Sequence, residues 1–200
     1  MFAIDAAMGE VVRSTREPLL GPIRLAWWRE RLEELDEEGP APAEPRLQAV
    51  AEFLIPAGIK GRDLAGLERG WLGLLDPFPW DPGIGEAIWF RGRQLFAAGA
   101  QVLGQVTDDD IEEAGGIYAL VDVARHCSDA GSRQMLLDQA RTFARRLRKV
   151  RVPAKLRPLS MLTVLAIRDC ARGEPFEREG APGRAALLLR HRLTGRLPHA

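Results

Sequence analysis

Apolar residues recur at the three- and four-residue spacing of an amphipathic helix in nearly every segment between the proline- and glycine-rich breaks of this chain. Ala, Leu, Arg and Glu dominate the composition, and β-branched and aromatic residues are too sparse to supply several strands. The sequence therefore predicts an all-α fold. The first helix is predicted from Phe2 to about Ser14, directly after the opening methionine.

Further helices are predicted over about 19–37, 45–56, 61–75, 84–103, 111–127, 132–150, 153–171 and 187–193. Two proline-rich stretches, 39–45 and 76–83, are predicted to be loops. A chain of this length fits one well-buried domain, so we expect a single domain over residues 1–200 with eight or nine helices.

Several large apolar side chains are expected in the core. The predicted buried residues of the second and third helices and of the second loop are Ile23, Trp27, Trp28, Leu32, Leu35, Leu47, Val50, Phe53, Leu54, Phe78 and Trp80. The paired tryptophans could instead offer a stacking platform for a base. Core packing is the favoured interpretation, because the turn that follows them is acidic.

The formal net charge is zero, yet the two parts of the chain differ sharply. Residues 1–138 carry 24 acids and 13 bases, whereas residues 139–200 carry 4 acids and 15 bases. The basic segment 141–157 fits a solvated face, a protein partner or an anionic membrane surface, and charge alone leaves these open. No stacking or groove-reading motif accompanies it, so a nucleic-acid partner is not expected.

Cys127 and Cys170 lack metal-site or disulfide spacing and are expected to be buried free thiols. No apolar run reaches the roughly 18 residues that spanning a bilayer needs, and no basic leader precedes one. We therefore expect a cytoplasmic protein, with a peripheral contact to the inner membrane as an open alternative.

An acidic run, Asp108-Asp109-Asp110-Ile111-Glu112-Glu113, permits two interpretations. Carboxylates one turn apart on a helix can hold Mg²⁺ together with a diphosphate. Acids at an N-cap and in a first turn also satisfy free N–H groups and the positive end of the helix dipole. Capping is the favoured interpretation.

The segment from Glu17 to Leu32, which contains Trp27-Trp28, resembles the squalene/phytoene synthase family. The residues 147–162, 175–176 and 182–189 are similar to the closing pattern of that family. The resemblance implies an isoprenoid-synthase-like helical bundle. Family members begin some twenty or more residues earlier, so the resemblance also implies that the family's first helix is missing here or that the start codon is misassigned.

The family's two Asp-rich motifs would fall on altered positions. The first would cover Gly9, Glu10 and Arg13, and the second would cover Asp122, Arg125, His126 and Ala130. Only Glu10 and Asp122 are carboxylates. The resemblance thus places a candidate pocket at Glu10, Arg13, Asp122 and His126, and Mg²⁺ is implied only if prenyltransferase activity is retained.

The altered motifs resemble an atypical branch of the family, which includes a mitochondrial respiratory complex I assembly factor. The leading hypothesis is a catalytically degenerate protein that acts in assembly or scaffolding, for instance of a respiratory complex. The alternative is a divergent prenyltransferase or an isoprenoid diphosphate binder that uses Arg13, Arg91 or Arg125 where the family uses metal. Whether the chain is an enzyme stays open at this point.

Overall fold

Helices make up the structure of this chain, a computed structural model that describes residues 1–17, 19–147 and 151–198. The described residues contain no β-strand, and an isolated antiparallel bridge joins Arg151 to Arg196. The predicted all-α class is confirmed. The helices fall into two units, Met1–Trp80 and Asp81–Ala200. The single domain over residues 1–200 and the isoprenoid-synthase-like architecture stay predictions.

The first unit contains five α-helices within its described residues. These are α1 (Phe2–Ser14), α2 (Leu20–Glu33), α3 (Pro45–Ala49), α4 (Gly61–Ala65) and α5 (Arg69–Leu72). The 3₁₀ turns Glu34–Asp36, Gly66–Glu68 and Gly73–Leu75 and the π-helical turn Val50–Leu54 extend them. The predicted bounds of the first helix are confirmed.

The helix α1 is anchored on the side chain of Trp71. The indole Nε1 donates a hydrogen bond to Oδ1 of Asp5 at 2.7 Å, and Asp5 is only 6% exposed. Gly9 lies against the same indole, since a Cβ there would come within 2.8 Å of its Cη2 atom. A buried carboxylate needs such a partner, so this contact joins α1 to α5 through polar as well as apolar packing.

The helix α2 buries a narrower face than its sequence predicts. Its buried residues are Gly21, Leu25, Trp28 and Leu32. Ile23 and Trp27 were expected in this face, but they are 62% and 42% exposed. The prediction was wrong for both residues because, at about 100° per residue, they lie on the side of the helix away from the buried face.

The third helix begins as predicted and then changes its winding. Glu44 caps it, since its carboxylate accepts hydrogen bonds from the backbone N–H groups of Arg46 and Leu47. Leu47 is buried, whereas Phe53, predicted to share its face, is 63% exposed. The π-helical turn explains this error, because its wider winding rotates the following residues away from the face that an α-helix would give them.

The loop from residue 76 to residue 83 forms where it was predicted, but its aromatic residues do not fill the core. Phe78 is 43% exposed and Trp80 is half-buried. Their rings contact each other with centroids 4.6 Å apart, and the indole of Trp80 donates to the backbone carbonyl of Asp76. The two aromatic rings therefore cover each other on the loop.

The second unit consists of longer helices. These are α6 (Ile84–Val102), α7 (Asp109–His126), α8 (Ala130–Ala144), α9 (Arg157–Arg172) and α10 (Pro182–Thr194). Asp108 is the N-cap of α7, because its carboxylate accepts a hydrogen bond from the N–H of Ile111 at 3.0 Å. The capping interpretation of the acidic run is confirmed.

Two glycines bring α6 and α7 into backbone contact. A Cβ atom on Gly92 would overlap the carbonyl oxygen of Gly115, and a Cβ on Gly115 would overlap the carbonyl oxygen of Gly92. Phe96 packs beside this crossing and is fully buried. The contact fixes α7 against α6 and so determines where the side chains on the other faces of α7 lie.

The helix α8 is shorter than predicted. The sequence predicts a helix from Ser132 to Val150, whereas α8 ends at Ala144 and a turn follows it. The basic segment 141–157 is therefore not one helical face. Arg148 and Lys149 of this segment lie outside the described residues.

His191 on α10 is buried and has a polar partner at each ring nitrogen. Its Nδ1 donates to the carbonyl oxygen of Arg196 at 2.9 Å, since a carbonyl can only accept, and its Nε2 lies 2.8 Å from the Ser160 hydroxyl oxygen. Burial, with a smaller contribution from the nearby Arg157 guanidinium, lowers the pKa of His191, although its hydrogen bond to Arg196 opposes the shift. Below pH about 6.5, His191 becomes protonated in the unfolded chain. In the folded chain its lowered pKa keeps it neutral to a lower pH.

We expect the melting temperature to fall as the pH is lowered from 7 through 6.5 and below, because the unfolded state then binds more protons than the folded state. His191→Gln should flatten this decline in thermal unfolding followed by circular dichroism. His126→Gln, which removes a histidine whose side chain is 63% exposed, is the matched control and should keep the decline. An equally steep decline in His191→Gln would contradict the assignment.

Cys127 and Cys170 are both buried free thiols, as predicted. Burial raises the pKa of Cys127, and it raises the pKa of Cys170 to about 12. Neither thiol is therefore suited to nucleophilic chemistry at neutral pH. Within the part of the chain that the structure describes, no helix combines the length and the apolar character that crossing a bilayer requires.

Candidate functional site

A cleft of about 330 Å³ in the second unit gathers three of the charged residues that the sequence singled out, Asp122, Arg125 and His126. One face of α7 lines it with Tyr118, Asp122, Arg125 and His126, residues that helical spacing places side by side. The other walls come from α9 and from the segment around the start of α10. They supply Leu162, Leu165, Ala166, Asp169, Glu179 and Arg184.

The carboxylate of Asp169 links three elements at this cleft. Its Oδ2 atom accepts from Arg125 at 2.8 Å, and its Oδ1 atom accepts from Arg184 at 2.6 Å. Asp169 is 2% exposed and Arg184 is 6% exposed. Charged groups this deeply buried are retained only with partners, so the Asp169 network ties α7, α9 and α10 together.

The guanidinium of Arg125 has two contacts besides its bond with Asp169. In addition to its bond with Asp169, it donates to the backbone carbonyl of Glu177 and lies 5.1 Å from the ring centroid of Phe176. The Glu177 side chain pairs with Arg168 through two hydrogen bonds of 2.6 and 3.2 Å, and these lower the pKa of Glu177. Arg125 is thus held in place by the segment between α9 and α10.

Asp122 faces a second arginine. Nη2 of Arg91 lies 4.0 Å from Oδ2 of Asp122, and the Arg91 side chain is fully buried within α6 packing. The Asp122 side chain is 31% exposed toward the cleft. Asp122 therefore places an opposite charge at ion-pair distance from Arg91, too far for a hydrogen bond.

His126 lies at the mouth of the cleft, one turn after Asp122. Its Nδ1 donates to the backbone carbonyl of Asp122 at 2.8 Å, and it is 3.9 Å from Oδ1 of the Asp122 side chain. The ring is largely exposed. The predicted one-face arrangement of Asp122 and His126 is therefore present, with Arg125 beside them.

Glu10 and Arg13, the other two residues of the candidate pocket, belong to the first unit. They form an exposed pair on α1, with Nη2 of Arg13 3.1 Å from Oε2 of Glu10. Both side chains are more than half exposed. An exposed pair at this spacing contributes little to stability, so it reads as a surface feature of α1.

The donor set around the cleft fits a magnesium ion poorly. Mg²⁺ needs several hard oxygen ligands in near-octahedral geometry. Both oxygens of Asp169 already accept from arginines, and Asp122 faces Arg91. Among the described residues, no group of three or more His, Cys, Asp and Glu side chains is placed to hold a metal ion.

Sequence reasoning missed Asp169 and Arg184. Arg184 lies in the segment 182–189 that resembles the family's closing pattern, but that resemblance does not assign it to the pocket. Asp169 belongs to no motif, yet it had one available signal. It lies in a helix whose buried positions are otherwise apolar or uncharged, including Val164, Ile167 and Cys170. A lone carboxylate at such a position indicates a buried partner of opposite charge.

A groove of about 460 Å³ between α9 and α10 is larger than the cleft. Its lining combines small and aliphatic residues with three arginines, Arg168, Arg172 and Arg190, and Arg168 pairs with Glu177. The smaller cleft combines acid, base and aromatic groups at short distances. Size alone does not make the groove the better candidate for specific binding.

Comparisons of this chain with known proteins found no match. No family model matches this chain, and neither a curated protein nor a solved structure matches it.

Proposed function

We propose that this chain is a squalene/phytoene-synthase-like protein that has replaced metal binding by arginine–carboxylate pairing and acts by contacting other molecules in an assembly or scaffolding role. The observation that carries the proposal is the pairing of Asp122 with buried Arg91. Asp122 stands where the resemblance puts the second Asp-rich motif. A carboxylate that neutralises a buried guanidinium serves the fold, and it is a poor ligand for a divalent cation.

The arrangement of the cleft arginines supports the same proposal. The competing hypothesis needs Arg13, Arg91 or Arg125 to receive a diphosphate. Arg91 is fully buried, and Arg125 already contacts Asp169 and Phe176. At Arg125, a diphosphate would have to compete with the carboxylate of Asp169, which is 2.8 Å away and whose side chain is 2% exposed.

The isoprenoid diphosphate binder remains the second candidate, and one observation favours it. Arg125 and Arg184 line the same cleft as Tyr118 and the apolar Leu162 and Leu165. Such a mixture of cationic and apolar walls suits a ligand with an acidic head and a hydrocarbon tail. Squalene or phytoene synthesis of the family's kind would also require a metal ion, and the side chains around the cleft fit a metal ion poorly.

The proposed role needs a surface that contacts a partner, and the basic segment 141–157 is the candidate for it. Arg145 and Arg146 follow α8 and are exposed, so they are available to a protein partner or an anionic membrane surface. Arg141 pairs with Asp138 at 2.6 Å and donates to the carbonyl of Cys170, and Arg157 donates to the carbonyl of Arg192. Of these two arginines, Arg141 therefore has its charge offset by a neighbouring carboxylate.

The proposal is tested with Asp122→Asn in two measurements. With farnesyl diphosphate and Mg²⁺, we expect wild type and variant to release pyrophosphate no faster than buffer, while an active squalene synthase in the same assay releases it. In thermal or urea unfolding, we expect the variant to lose about 1 to 3 kcal/mol, because Arg91 is left with a neutral partner.

Glu10→Gln is the matched control, since it removes the other motif carboxylate from an exposed pair. It should change the free energy of unfolding by less than about 0.5 kcal/mol. Magnesium-dependent pyrophosphate release that is lost in Asp122→Asn or in Glu10→Gln would overturn the proposal and favour the prenyltransferase.

A further inference from the structure

The helix α10 leaves two leucines exposed on its outer side. Leu189 and Leu193 are 59% and 71% exposed. At about 100° per residue they lie beside each other one turn apart, and the buried Arg184 and His191 lie on the opposite side of the helix. The helix α10 therefore packs by one side and presents leucine side chains on the other.

Two exposed arginines flank these leucines. The same helical steps put Arg190 on one side of the leucines and Arg192 on the other. Within the part of the chain that the structure describes, neither guanidinium has a carboxylate at ion-pair distance. We call Leu189, Arg190, Arg192 and Leu193 together the α10 patch.

The surroundings of the α10 patch add positive charge and little negative charge. The helix α10 contains no Asp and no Glu. Of the acids shortly before it, Glu177 pairs with Arg168, and Glu179 lines the cleft beside α7. Arg172, exposed at the end of α9, lines the same groove as Arg190. The positive surface therefore extends from α10 to the end of α9.

This combination is the one that anionic lipid recognises. Helices that lie on a charged membrane carry leucine or aromatic side chains on one face and Lys or Arg beside them. The apolar side chains enter the boundary between headgroups and acyl chains, while the long arginine side chains reach the lipid phosphates. Both kinds of residue are present in the α10 patch, in that arrangement.

We propose that the α10 patch is a docking surface for an anionic lipid bilayer, with Leu189 and Leu193 inserted at the headgroup boundary. The inference does not depend on the proposed function, because it uses neither the cleft nor the family resemblance. It also uses none of the basic segment 141–157.

Other occupants fit the α10 patch less well. Two copies joined through it would bring Arg190 and Arg192 close to the same arginines of the partner subunit, where like charges repel. A protein partner needs a surface of about 800 Å² with a complementary shape. A bilayer accepts protruding leucines without a matching pocket, and its acidic headgroups complement the arginines.

The test is co-sedimentation of the full chain with vesicles of phosphatidylcholine, with and without phosphatidylglycerol. We expect binding to the vesicles that contain phosphatidylglycerol and much weaker binding to phosphatidylcholine alone. Added salt should weaken the binding, because it screens the attraction between the arginines and the acidic headgroups.

The leucines are tested with the double variant Leu189→Gln and Leu193→Gln. It should lower the partition coefficient on anionic vesicles by on the order of 100-fold, since both apolar side chains are lost from the lipid boundary. The matched control is Phe53→Gln with Leu72→Gln, because these residues are 63% and 42% exposed in the first unit. It should bind as wild type does.

The arginines are tested with the double variant Arg190→Gln and Arg192→Gln. It should weaken binding to anionic vesicles by on the order of 30-fold, since each basic residue near an acidic leaflet contributes about fivefold. Arg16→Gln with Arg69→Gln removes the same charge from exposed positions of the first unit and should change binding little. Circular dichroism of each variant establishes that it is folded.

A fluorescent label reports insertion independently of affinity. Cys127 and Cys170 are buried free thiols, so bimane reacts preferentially with the exposed thiol of Leu193→Cys. Its emission should shift to shorter wavelength when anionic vesicles are added. The same label on Phe53→Cys should show no shift.

A wild-type chain that does not sediment with anionic vesicles would overturn the inference. Binding to soluble polyglutamate in its place would favour an acidic protein partner. Undiminished vesicle binding of both folded α10 double variants would also overturn the inference, because the contact would then lie elsewhere. None of these outcomes bears on pyrophosphate release or on the stability of Asp122→Asn, so the inference and the proposed function fail separately.

Discussion

Asp169→Asn is expected to lower the free energy of unfolding by about 3 to 5 kcal/mol, because it removes the counter-charge from two arginines in a buried network. Asp169 accepts from Arg125 at 2.8 Å and from Arg184 at 2.6 Å while being 2% exposed itself. An amide oxygen still accepts one hydrogen bond, but it leaves a net positive charge between α7, α9 and α10. Urea unfolding followed by circular dichroism measures the loss.

Asp138→Asn is the matched control for this change. Asp138 pairs with Arg141 at an equal distance of 2.6 Å, but its side chain is 60% exposed. Because exposed pairs contribute little, we expect the control to lose less than about 1 kcal/mol. If the two variants lost the same free energy, the Asp169 network would not hold the helices together as described.

Gly92→Ala is expected to destabilise the chain by about 3 kcal/mol, the upper end of the usual cost of overpacking, since the added methyl group overlaps a backbone atom of the facing helix. The obstacle is the carbonyl oxygen of Gly115, which cannot rotate away as a side chain can. Relief requires α6 and α7 to move apart, and this would open the packing around buried Phe96. Thermal unfolding and soluble expression measure the effect.

Gly131→Ala separates this steric effect from the general effect of replacing glycine in a helix. Gly131 lies in the first turn of α8, and a Cβ there would meet Asp129 Oδ2 at 3.4 Å, an ordinary contact. Alanine favours the helix by up to about 1 kcal/mol, so the control should be neutral or stabilised. A well-folded Gly92→Ala with wild-type stability would show that the two helices are not in backbone contact.

The features that could be predicted from sequence are those that local signals decide. The bounds of α1 follow from the spacing of its apolar residues, and the start of α7 follows from Asp108 and the acids behind it. Periodicity and capping act within one or two turns, so no knowledge of the surrounding structure is needed. The early end of α8 at Ala144 shows the limit, because no glycine or proline marks it.

The exposed aromatic and aliphatic residues could not be predicted in this way. Helical spacing shows which residues share a face, but it does not tell which face meets another helix. Ile23 and Trp27 share one side of α2 while its packed side is a different one. Phe53 was placed on the wrong side because a π-helical turn changes the winding, and no single residue announces such a turn.

The candidate site was predictable only in part, for the same reason. Asp122, Arg125 and His126 are neighbours on one helix, and their spacing alone puts them beside each other. Asp169 and Arg184 reach the cleft from other helices, so their contacts depend on tertiary packing. Arg91 of α6 lies 4.0 Å from Asp122, and this proximity also depends on how the helices pack.

The backbone contact between α6 and α7 also limits how this chain can diverge. Neither Gly92 nor Gly115 has room for a single added carbon atom, so a larger residue at one cannot be accommodated by shrinking the other. No sequence of single substitutions can therefore replace these glycines while the two helices stay in contact. Related chains that keep the contact between α6 and α7 must keep both glycines. Two glycines spaced 23 positions apart would thus outlast most of the surrounding sequence as a mark of common descent.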